Sequence, residues 1–506
     1  MIISHKHKFI FFKTRKTAGS SIQVQLANYC GEDDIITGQY RDGIDDDSHS
    51  TGLNMDKFYT NHPHPTLKET RLFLGEEIWN SYFKFAFVRN PFDIAVSRYF
   101  WEKKGKSLVE QETSIDDFKK WTMTELKDYD RQLSYIEWDG EIALDFVGRY
   151  ETLKEDYRHI CQKLNLPVDE LPFKKSGFRD KKHYTKFYDD ETIQRVTDFF
   201  DRDIDLLNYN FNQKFMTKRI CPIILSDNLQ DENDNINGPS LIKVPDWIEN
   251  PLGKYYLYFA HHQGSYIKMA YSDKIDGPYT EYKNGVINLD QTICKSHIAS
   301  PDVHIDNDKK QIVMYYHGDT TDEQRTFISY SNDGLSFTDT GIDCGPFYFR
   351  VFKYKDKLYS VAKNKNIDSV ILESDNWEGE FKPLFNFLEK SRHTSVFLED
   401  DDLYIFYSLI GDTPESIRMI QLKLDTDINN WDVIHMEKIL KPELKYEGSE
   451  YPIIPSMPGS STLRYGGGVN EVRDPYIYVE NKNIYLLYTL AGELGIGLAK
   501  IDRIDK

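Results

Sequence analysis

The sequence predicts two folded domains, an α/β domain with a parallel sheet and then an all-β five-bladed propeller. Strand-like and helix-like segments alternate through roughly the first 215 residues, which is typical of a parallel sheet covered by helices. A polar stretch rich in Asp and Asn follows at 226–237. Beyond it, a short aromatic-rich strand recurs five times. We therefore assign residues 1–220 to the first domain, 221–237 to a linker and 238–506 to the propeller.

The composition fits a folded protein and argues against several classes of function. The 506 residues are 40% hydrophobic and 14% aromatic, enough for more than one core. A net charge of −19 lacks the cationic excess that nucleic-acid binding requires. No apolar run approaches the roughly 18 residues of a membrane span. The 5 cysteines lack the spacing of a zinc site or a disulfide framework. We expect a cytoplasmic protein that contains no metal and binds neither nucleic acid nor membrane. The sequence leaves its oligomeric state open.

The first domain begins with two strand–helix units. Phe9–Phe12 is a continuous apolar run, typical of a buried parallel strand, and Ser20–Tyr29 follows as a helix. Phe83–Val88 is the second strand, after which Asn90 is placed to cap a helix that has Pro91 in its first turn. Two later helices are expected, at Leu153–Leu164 and Thr192–Leu207.

The turn between the first strand and its helix has the composition of an anion cradle. It reads Lys16, Thr17, Ala18, Gly19, Ser20 and Ser21. Gly19 lets the backbone approach a ligand, and the two serines add hydroxyl donors where free backbone N–H groups and the helix dipole already favour an anion. Lys16 adds a positive charge. The pattern predicts a phosphate or sulfate site, and it differs from a Walker A loop because GxxxxGK[ST] is absent.

The second strand–helix unit carries FVRNPFDIAVSRY. Arg89 ends the strand at the edge where open α/β sheets bind ligands, and Ser97 follows about two helical turns later. Together they can hold a second phosphate through charge-assisted hydrogen bonds.

These two motifs, in this order, resemble those of the carbohydrate sulfotransferases over residues 8–103, and FFDRDIDLLNYNF at 199–211 resembles that family's closing helix and strand. The resemblance implies that KTAGSS binds the 5′-phosphosulfate of 3′-phosphoadenosine 5′-phosphosulfate (PAPS). It implies that the second unit binds the 3′-phosphate, and that a sulfuryl group passes in line to a carbohydrate hydroxyl. Lys16 would stabilise the leaving oxygen. Ile94 departs from the family, which commonly has an arginine after RNPxD.

The acceptor hydroxyl needs a general base, and an imidazole suits neutral pH. The stretch HPHPT precedes the second strand by about 20 residues, where members of the family often carry a histidine. His64 fits that pattern best and His62 is second. Three glutamates remain as alternatives: Glu32, Glu76 and Glu77.

The second domain is predicted from self-similar β-units. Each aromatic strand is preceded by a short apolar segment and followed by another strand. The five aromatic strands are Tyr255–Ala260, Ile312–His317, Leu358–Ala362, Leu403–Ser408 and Ile484–Thr489. Such repeats predict a propeller with one blade per unit. One large β-sandwich is the alternative fold.

The strand that opens each blade lines the central funnel, so its polar residues are candidates for a site. They are Asp302, Arg350, Arg392, His393, Arg473 and Asp474, with Glu471 just before. Over about 238–502 the chain resembles the glycosidase-like propellers of glycoside hydrolase families 43, 32 and 130, through segments such as HIASPDVHID and SRHTSVFL.

The inverting members of that group carry one carboxylate in each of the first three blades, a base, a second Asp and an acid Glu, and a pair of them flanks the scissile bond. Only Asp302 matches, because Ser240 and Arg350 stand in the other two positions. The arginines and His393 instead predict a pocket for an anionic group, such as a sulfate or phosphate on a sugar. Buried Arg–Asp pairs that join the blades, such as Arg473–Asp474, are the alternative interpretation.

We therefore expect a PAPS-dependent carbohydrate sulfotransferase whose propeller binds or processes saccharide. One alternative is a bifunctional enzyme whose propeller hydrolyses or phosphorolyses a glycoside. A P-loop nucleotide kinase is a second alternative, disfavoured by the missing Walker motifs. The third is a non-catalytic protein that binds carbohydrate or assembles partners.

Overall fold

The structure is a computed structural model that describes residues 1–37, 53–54, 58, 64–105, 115–128, 131–172, 183–229, 235–321, 323–365, 367–459 and 464–504. The chain divides into two compact units, Met1–Gln213 and Lys214–Lys506. Each unit has its own buried apolar clusters.

The N-terminal unit is built on a five-stranded mixed sheet. Its strands, in spatial order, are Ile35–Ile36, Ile2–Ser4, Phe9–Phe12, Phe83–Val88 and Phe146–Arg149. The last three run parallel, as predicted, whereas the first two extend one edge antiparallel. The sequence analysis did not predict the antiparallel edge or the strand Phe146–Arg149. A two-stranded ribbon, Glu137–Trp138 with Glu141–Ile142, stands apart.

Helices cover this sheet. They are Gly19–Ala27, Leu67–Ser81, Pro91–Gly105, Ile115–Thr124, Leu133–Ile136, Leu153–Lys163, Asp190–Phe199 and Asp201–Leu206, with a 3₁₀ turn at Tyr184–Phe187. The single helix expected over Thr192–Leu207 is two helices, because Phe200 leaves helical geometry (φ −102°, ψ 24°). No helix in the described part of the chain is long and apolar enough to cross a membrane.

Two parallel strands bring both ligand-binding motifs to one edge. Phe9–Phe12 pairs with Phe83–Val88, so the segments that follow them leave the sheet side by side. The strand faces pack against the first helix through a shared apolar cluster that includes Phe11, Phe85 and Leu26. The predicted cap is confirmed: the Asn90 side-chain oxygen accepts a 3.0 Å hydrogen bond from the Phe92 N–H as the helix Pro91–Gly105 begins.

The C-terminal unit is a propeller of five blades, each an antiparallel sheet of four strands, as the repeats predicted. Blade 1 comprises Asn237–Lys243, Tyr255–Ala260, Tyr266–Ser272 and Thr280–Asn288; blade 2, Ile298–Asp306, Gln311–Asp319, Gln324–Ser331 and Thr338–Pro346; blade 3, Arg350–Tyr354, Lys357–Asn364, Asp368–Ser374 and Lys382–Phe387; blade 4, Ser391–Glu399, Asp402–Leu409, Ile417–Lys423 and Asp432–Leu440; blade 5, Arg473–Glu480, Asn483–Leu490, Gly495–Arg503 and Phe215–Leu225. Short 3₁₀ turns occur at Ser226–Asn228, Leu289–Gln291, Ile428–Asn430 and Lys445–Glu447.

The outer strand of blade 5 comes from the beginning of the unit. Phe215–Leu225 pairs antiparallel with Gly495–Arg503 and so closes the ring of blades. The units therefore divide between Gln213 and Lys214, whereas the sequence-based boundary at residue 220 cuts through this strand. The sequence of Phe215–Leu225 does not reveal that its partner strand, Gly495–Arg503, lies near the other end of the chain.

This closure predicts how the chain can be divided. Fragments 1–213 and 214–506 should each fold, but fragment 236–506 should melt at a clearly lower temperature or aggregate. It would leave the strand Gly495–Arg503 as an unpaired edge and uncover the buried side chains of Ile496 and Leu498. Circular dichroism melts and gel filtration of the three fragments test this. Equal melting temperatures for 214–506 and 236–506 would contradict it.

Candidate functional site

A cavity of about 210 Å³ lies at the sheet edge where the two motifs meet. Its wall contains seven of the residues predicted for the site: Lys16, Thr17, Ala18, Ser20, His64, Arg89 and Ser97. Gly19 and Ser21 are buried and do not line it.

The backbone of the cradle is unusual for residues that carry a side chain. Lys16 and Ala18 both have φ of +61°, a left-handed conformation that is costly outside glycine. Ala18 occupies the N-cap position of the helix Gly19–Ala27 and makes no side-chain capping hydrogen bond there. The first N–H groups of the helix therefore lack a capping side chain, as expected where a ligand is to accept from them.

Gly19 is required for a different reason from the predicted one. Its φ is not positive, and a Cβ built on it would lie 2.8 Å from Lys13 Cγ and 3.3 Å from the Thr14 carbonyl oxygen. The glycine therefore lets the loop pack on itself. Thr14 fastens the same loop to the neighbouring strand, because its hydroxyl donates to the Phe87 carbonyl.

Arg89 joins the two motifs. Its Nη1 donates to the Lys16 carbonyl at 2.9 Å, and its Nε donates to Asp93 Oδ2 at 2.7 Å. The same Nη1 lies 3.5 Å from the Ser97 hydroxyl, and the guanidinium carbon lies 3.8 Å from the Tyr150 ring centre. Burial opposes the charge on Arg89, but the Asp93 carboxylate outweighs it and raises the pKa of the guanidinium. A fixed cation therefore stands beside the cradle.

His64 is held as a neutral imidazole. Its Nδ1 lies 2.6 Å from the Lys13 carbonyl oxygen. A carbonyl only accepts, so Nδ1 carries the proton and Nε2 keeps a lone pair. Burial lowers the pKa of His64 to about 3. The ring lies 5.8 Å from that of Tyr135, whose hydroxyl accepts a 3.0 Å hydrogen bond from Arg15 Nε.

Among the residues that the structure describes, none of the other candidate bases is placed at the cavity. His62 lies outside those residues. Glu32, Glu76 and Glu77 are exposed and do not line the cavity, and Glu76 is paired with Arg71.

The sequence analysis missed several wall residues. They are Lys13, Thr14, Arg15, Arg98, Trp101 and Tyr150. The sequence contained an indication that Trp101 lies at the site, because it follows Ser97 by one helical turn on the same helix face. None existed for Tyr150, which follows the unpredicted strand Phe146–Arg149. Lys16 Nζ lies 4.5 Å from the Trp101 ring centre, so the aromatic ring helps to orient the lysine.

In the propeller, Arg350 lies at the centre of the funnel and is bonded to protein. Its Nη1 donates to the Pro301 carbonyl at 2.8 Å, Nε to Thr394 at 3.0 Å and Nη2 to Pro239 at 3.4 Å. Its guanidinium carbon lies 5.5 Å from the Tyr476 ring centre. One side chain of blade 3 thus contacts the other four blades.

The remaining predicted arginines also reach protein acceptors. Arg392 makes a two-point ion pair with Glu415 at 2.8 and 3.1 Å. Arg473 is fully buried, with Nη2 2.7 Å from Glu493 and Nη1 3.4 Å from Glu471. These contacts favour buried Arg–carboxylate pairs over the predicted anion pocket, although each of these pairs lies within one blade, blade 4 or blade 5.

Asp302 and Asp474 are engaged as well. Asp302 Oδ2 accepts hydrogen bonds of 2.8 Å from both the Val351 N–H and His304 Nε2. Asp474 binds His393 Nδ1. Ser240, at the position of a hydrolytic base, is fully buried, and its hydroxyl oxygen accepts a 3.0 Å hydrogen bond from the Val303 N–H.

Comparison with known proteins agrees with this division of the chain. Residues 1–210 match the Sulfotransferase family. An uncharacterized protein of Acanthamoeba polyphaga mimivirus is 30% identical over 312 residues, covering 54% of this chain and 85% of its own. An uncharacterized protein of Archaeoglobus fulgidus is 31% identical over 100 residues, covering 19% of this chain and 78% of its own.

Solved structures similar to the chain include glycosidases of low sequence identity. A thermostable family-43 glycoside hydrolase is 15% identical and covers 53% of this chain and 89% of its own, with a TM-score of 0.37. An alpha-L-arabinofuranosidase from Lactobacillus brevis is 12% identical and covers 55% of this chain and 94% of its own, with a TM-score of 0.39. The assignment of the propeller rests on its five four-stranded sheets. The chain belongs to one family with the mimivirus protein, and its residues 1–210 form a domain of the Sulfotransferase family.

Proposed function

We propose that the N-terminal unit transfers a sulfuryl group from PAPS to a hydroxyl of a carbohydrate acceptor. The observation that supports this most strongly is the content of one cavity: the strained Lys16–Ala18 backbone, the fixed cation Arg89 and a buried neutral imidazole, His64. Transfer of an anionic sulfuryl group needs all three: an anion-binding loop, a cation and a base.

The residues fit the charge and shape of the donor. The N–H groups at the start of Gly19–Ala27, with Ser20 and Lys16, suit the phosphosulfate. Arg89 and Ser97 suit the second phosphate, because an arginine can donate two parallel hydrogen bonds to it. Asp93 already engages one edge of this guanidinium and fixes its orientation.

The proposed chemistry needs one proton transfer and one displacement. His64 Nε2 takes the proton of the acceptor hydroxyl as its oxygen bonds to sulfur. The bond between sulfur and the bridging phosphate oxygen breaks, and Lys16 stabilises the charge that develops on that oxygen. The products are the sulfated acceptor and PAP, the donor without its sulfuryl group.

Donor binding is the direct test. PAP should bind the full chain and raise the melting temperature of the N-terminal unit. Lys16→Ala and Arg89→Ala should each weaken PAP binding roughly 10- to 150-fold, since each removes a charge-assisted contact of about 1.5–3 kcal/mol. Calorimetric titration measures the affinity, and transfer of radiolabelled sulfate from PAPS to a panel of saccharides measures the activity.

Lys68→Ala is the matched control, because Lys68 is exposed and away from the cavity. It should bind PAP as the unaltered protein does. Equal PAP binding by all of these variants would show that the two loops do not form the donor site. PAP binding without transfer to any saccharide would leave the donor site intact and contradict the acceptor class.

We further propose that the propeller contributes to binding the saccharide. The supporting observation is a polar cavity of about 580 Å³ in that unit, a size typical of small-molecule sites. The same transfer assay tests this when it compares the full chain with fragment 1–213. A KM for the acceptor that is unchanged in the fragment would contradict a role of the propeller.

A further inference from the structure

The propeller cavity has a serine on its wall that the proposed function does not use. Ser300 is the third residue of Ile298–Asp306, the first strand of blade 2, and Tyr348, from the segment that leads into blade 3, lines the same cavity. Ser296, His317 and Asn237 also face the cavity. The wall is therefore polar and rich in groups that donate and accept hydrogen bonds.

Behind Ser300 stand a histidine and an aspartate from two other blades. The Ser300 hydroxyl lies 3.5 Å from His393 Nε2, and His393 Nδ1 contacts Asp474 Oδ1. A carboxylate only accepts, so Nδ1 carries a proton and Nε2 is left to accept from the serine. The order serine, imidazole Nε2, imidazole Nδ1, carboxylate is that of a nucleophile, its base and the group that orients the base.

The backbone presents these residues in irregular strand positions. The strand pairing shifts register at Ala299–Asp302, at Ser391–Thr394 and at Arg473–Tyr476, so each of the three residues lies within a β-bulge of the strand that opens its blade. Ser300 and Asp474 also have positive φ, +48° and +49°. Bulges re-aim side chains near active sites, and strained backbone of this kind collects at functional sites.

The surroundings hold the imidazole neutral and in place. His393 is buried, which lowers its pKa despite the opposing effect of Asp474. Burial alone would raise the pKa of Asp474, but the contact with His393 and the charge of Arg473 outweigh it and keep the carboxyl ionised. The Tyr348 ring meets the His393 ring edge-on, with ring centres 4.0 Å apart.

Space around the serine is reserved by a glycine of blade 1. A Cβ at Gly238 would lie 2.9 Å from Ser300 Cα and 3.2 Å from Ser300 Oγ. Gly238 itself has φ of +58°, so both its conformation and its lack of a side chain are required there. Gly238 thus allows blade 1 to pack closely against Ser300.

We propose that Ser300, His393 and Asp474 form a catalytic triad that hydrolyses a carboxylic ester of a hydroxyl-rich alcohol. The polar wall of the cavity argues for such an alcohol rather than for an apolar one. The triad lies wholly in the propeller unit and is independent of the donor cavity.

The reaction balances with water as the only co-substrate. Ser300 Oγ attacks the ester carbonyl while its proton passes to His393 Nε2. The carbonyl–alkoxide bond breaks, the alcohol leaves with that proton, and an acyl-serine remains. Water then loses a proton to His393 and attacks the acyl carbon, which releases the acid and restores the Ser300 hydroxyl.

The distance between the serine and the histidine suits these steps. At 3.5 Å it is longer than a working hydrogen bond, as is common before a substrate binds.

A fluorophosphonate probe tests the proposal, because it marks only activated serines. The native full chain should gain one adduct, located by mass spectrometry on the peptide that contains Ser300, and should hydrolyse p-nitrophenyl acetate. Ser300→Ala should lose both, and His393→Gln should lower the rate of labelling at least roughly 100-fold. Ser336→Ala, which alters an exposed serine of blade 2 that does not line the cavity, should keep both.

Several outcomes would overturn the triad. No adduct on the native chain, an adduct on another residue, or equal labelling of the heat-unfolded chain would each do so, without reliance on any variant folding. Hydrolysis retained by a folded Ser300→Ala protein would do so as well. PAP binding, measured in parallel, should be the same in every variant, so failure of the triad is distinguishable from failure of the donor site.

Discussion

Replacing His64 by alanine should lower the turnover of sulfuryl transfer by about 10²–10⁴, the range typical of a lost general base. The affinity for PAP should change little, because the proposed role of His64 is to accept the proton of the acceptor hydroxyl, and the neutral imidazole adds no positive charge to the donor site. The expectation rests on the hydrogen bond to the Lys13 carbonyl, which leaves Nε2 with its lone pair. Steady-state kinetics with saturating PAPS, beside calorimetric titration of PAP, separates the two effects.

His64→Asn is the sharper variant. The asparagine amide can still donate to the Lys13 carbonyl, so the loop should keep its fold while the base is absent. It should be as slow as His64→Ala. His159→Ala is the control, since His159 is exposed and remote from the cavity wall. Full turnover in His64→Asn would transfer the role to His62 or to one of the three glutamates.

The pH dependence carries a second signature of His64. Its pKa is lowered to about 3 by burial, so the imidazole stays neutral at every pH above that range. The acid limb of kcat/KM, which reports the free enzyme, should therefore lie well below pH 6.5. An anionic donor in the cavity favours the imidazolium, so the limb of kcat should lie at higher pH than that of kcat/KM. Coincident limbs near pH 6.5 would contradict a buried base.

The propeller should be strongly destabilised when Arg350 is replaced by methionine, by about 3–5 kcal/mol, as for other broken buried ion pairs. The variant leaves the carbonyls of Pro239, Pro301 and Thr394 without this donor, and it removes the cation 3.6 Å from Asp302. Buried acceptors that lose their partner destabilise the fold by their full desolvation cost. A stability effect of this size distinguishes a residue that joins blades from one that waits for a ligand.

Scanning calorimetry of the full chain measures this, and added PAP identifies the transition of the N-terminal unit by raising it. Only the other transition should move in Arg350→Met. Arg325→Met is the control: Arg325 pairs with Asp343 at the surface, where an ion pair contributes less than about 1 kcal/mol. If Arg350→Met melted normally and lost only its affinity for sulfated saccharides, the predicted anion pocket would be restored.

The sequence was sufficient where a function depends on neighbours in the chain. The KTAGSS turn and the RNP helix start each combine a strand end, a basic residue and a helix N-terminus within a few residues. Both were therefore predicted, and the parallel pairing of Phe9–Phe12 with Phe83–Val88 brings them to one cavity. The five blades were predicted for a similar reason, because each repeat contains its own strands and turns.

Tertiary structure alone decided which charged side chains are already bonded to protein. Arg350, Arg392 and Arg473 look in the sequence like ligands for an anion, and their burial among acceptors of the protein is invisible there. Likewise, Phe215–Leu225 became a blade strand only through its partner at the far end of the chain.

The same holds for Ser300, His393 and Asp474, which the sequence places in three separate repeats. Local spacing determines where strands begin, so it indicated that His393 and Asp474 face the funnel, whereas Ser300 was not predicted. Which atoms meet there depends on bulges and on the angle between blades, and these follow from packing over the whole ring. The sequence by itself thus determined the two folds and the donor motifs, while the arrangement of side chains around the propeller axis was set by long-range packing.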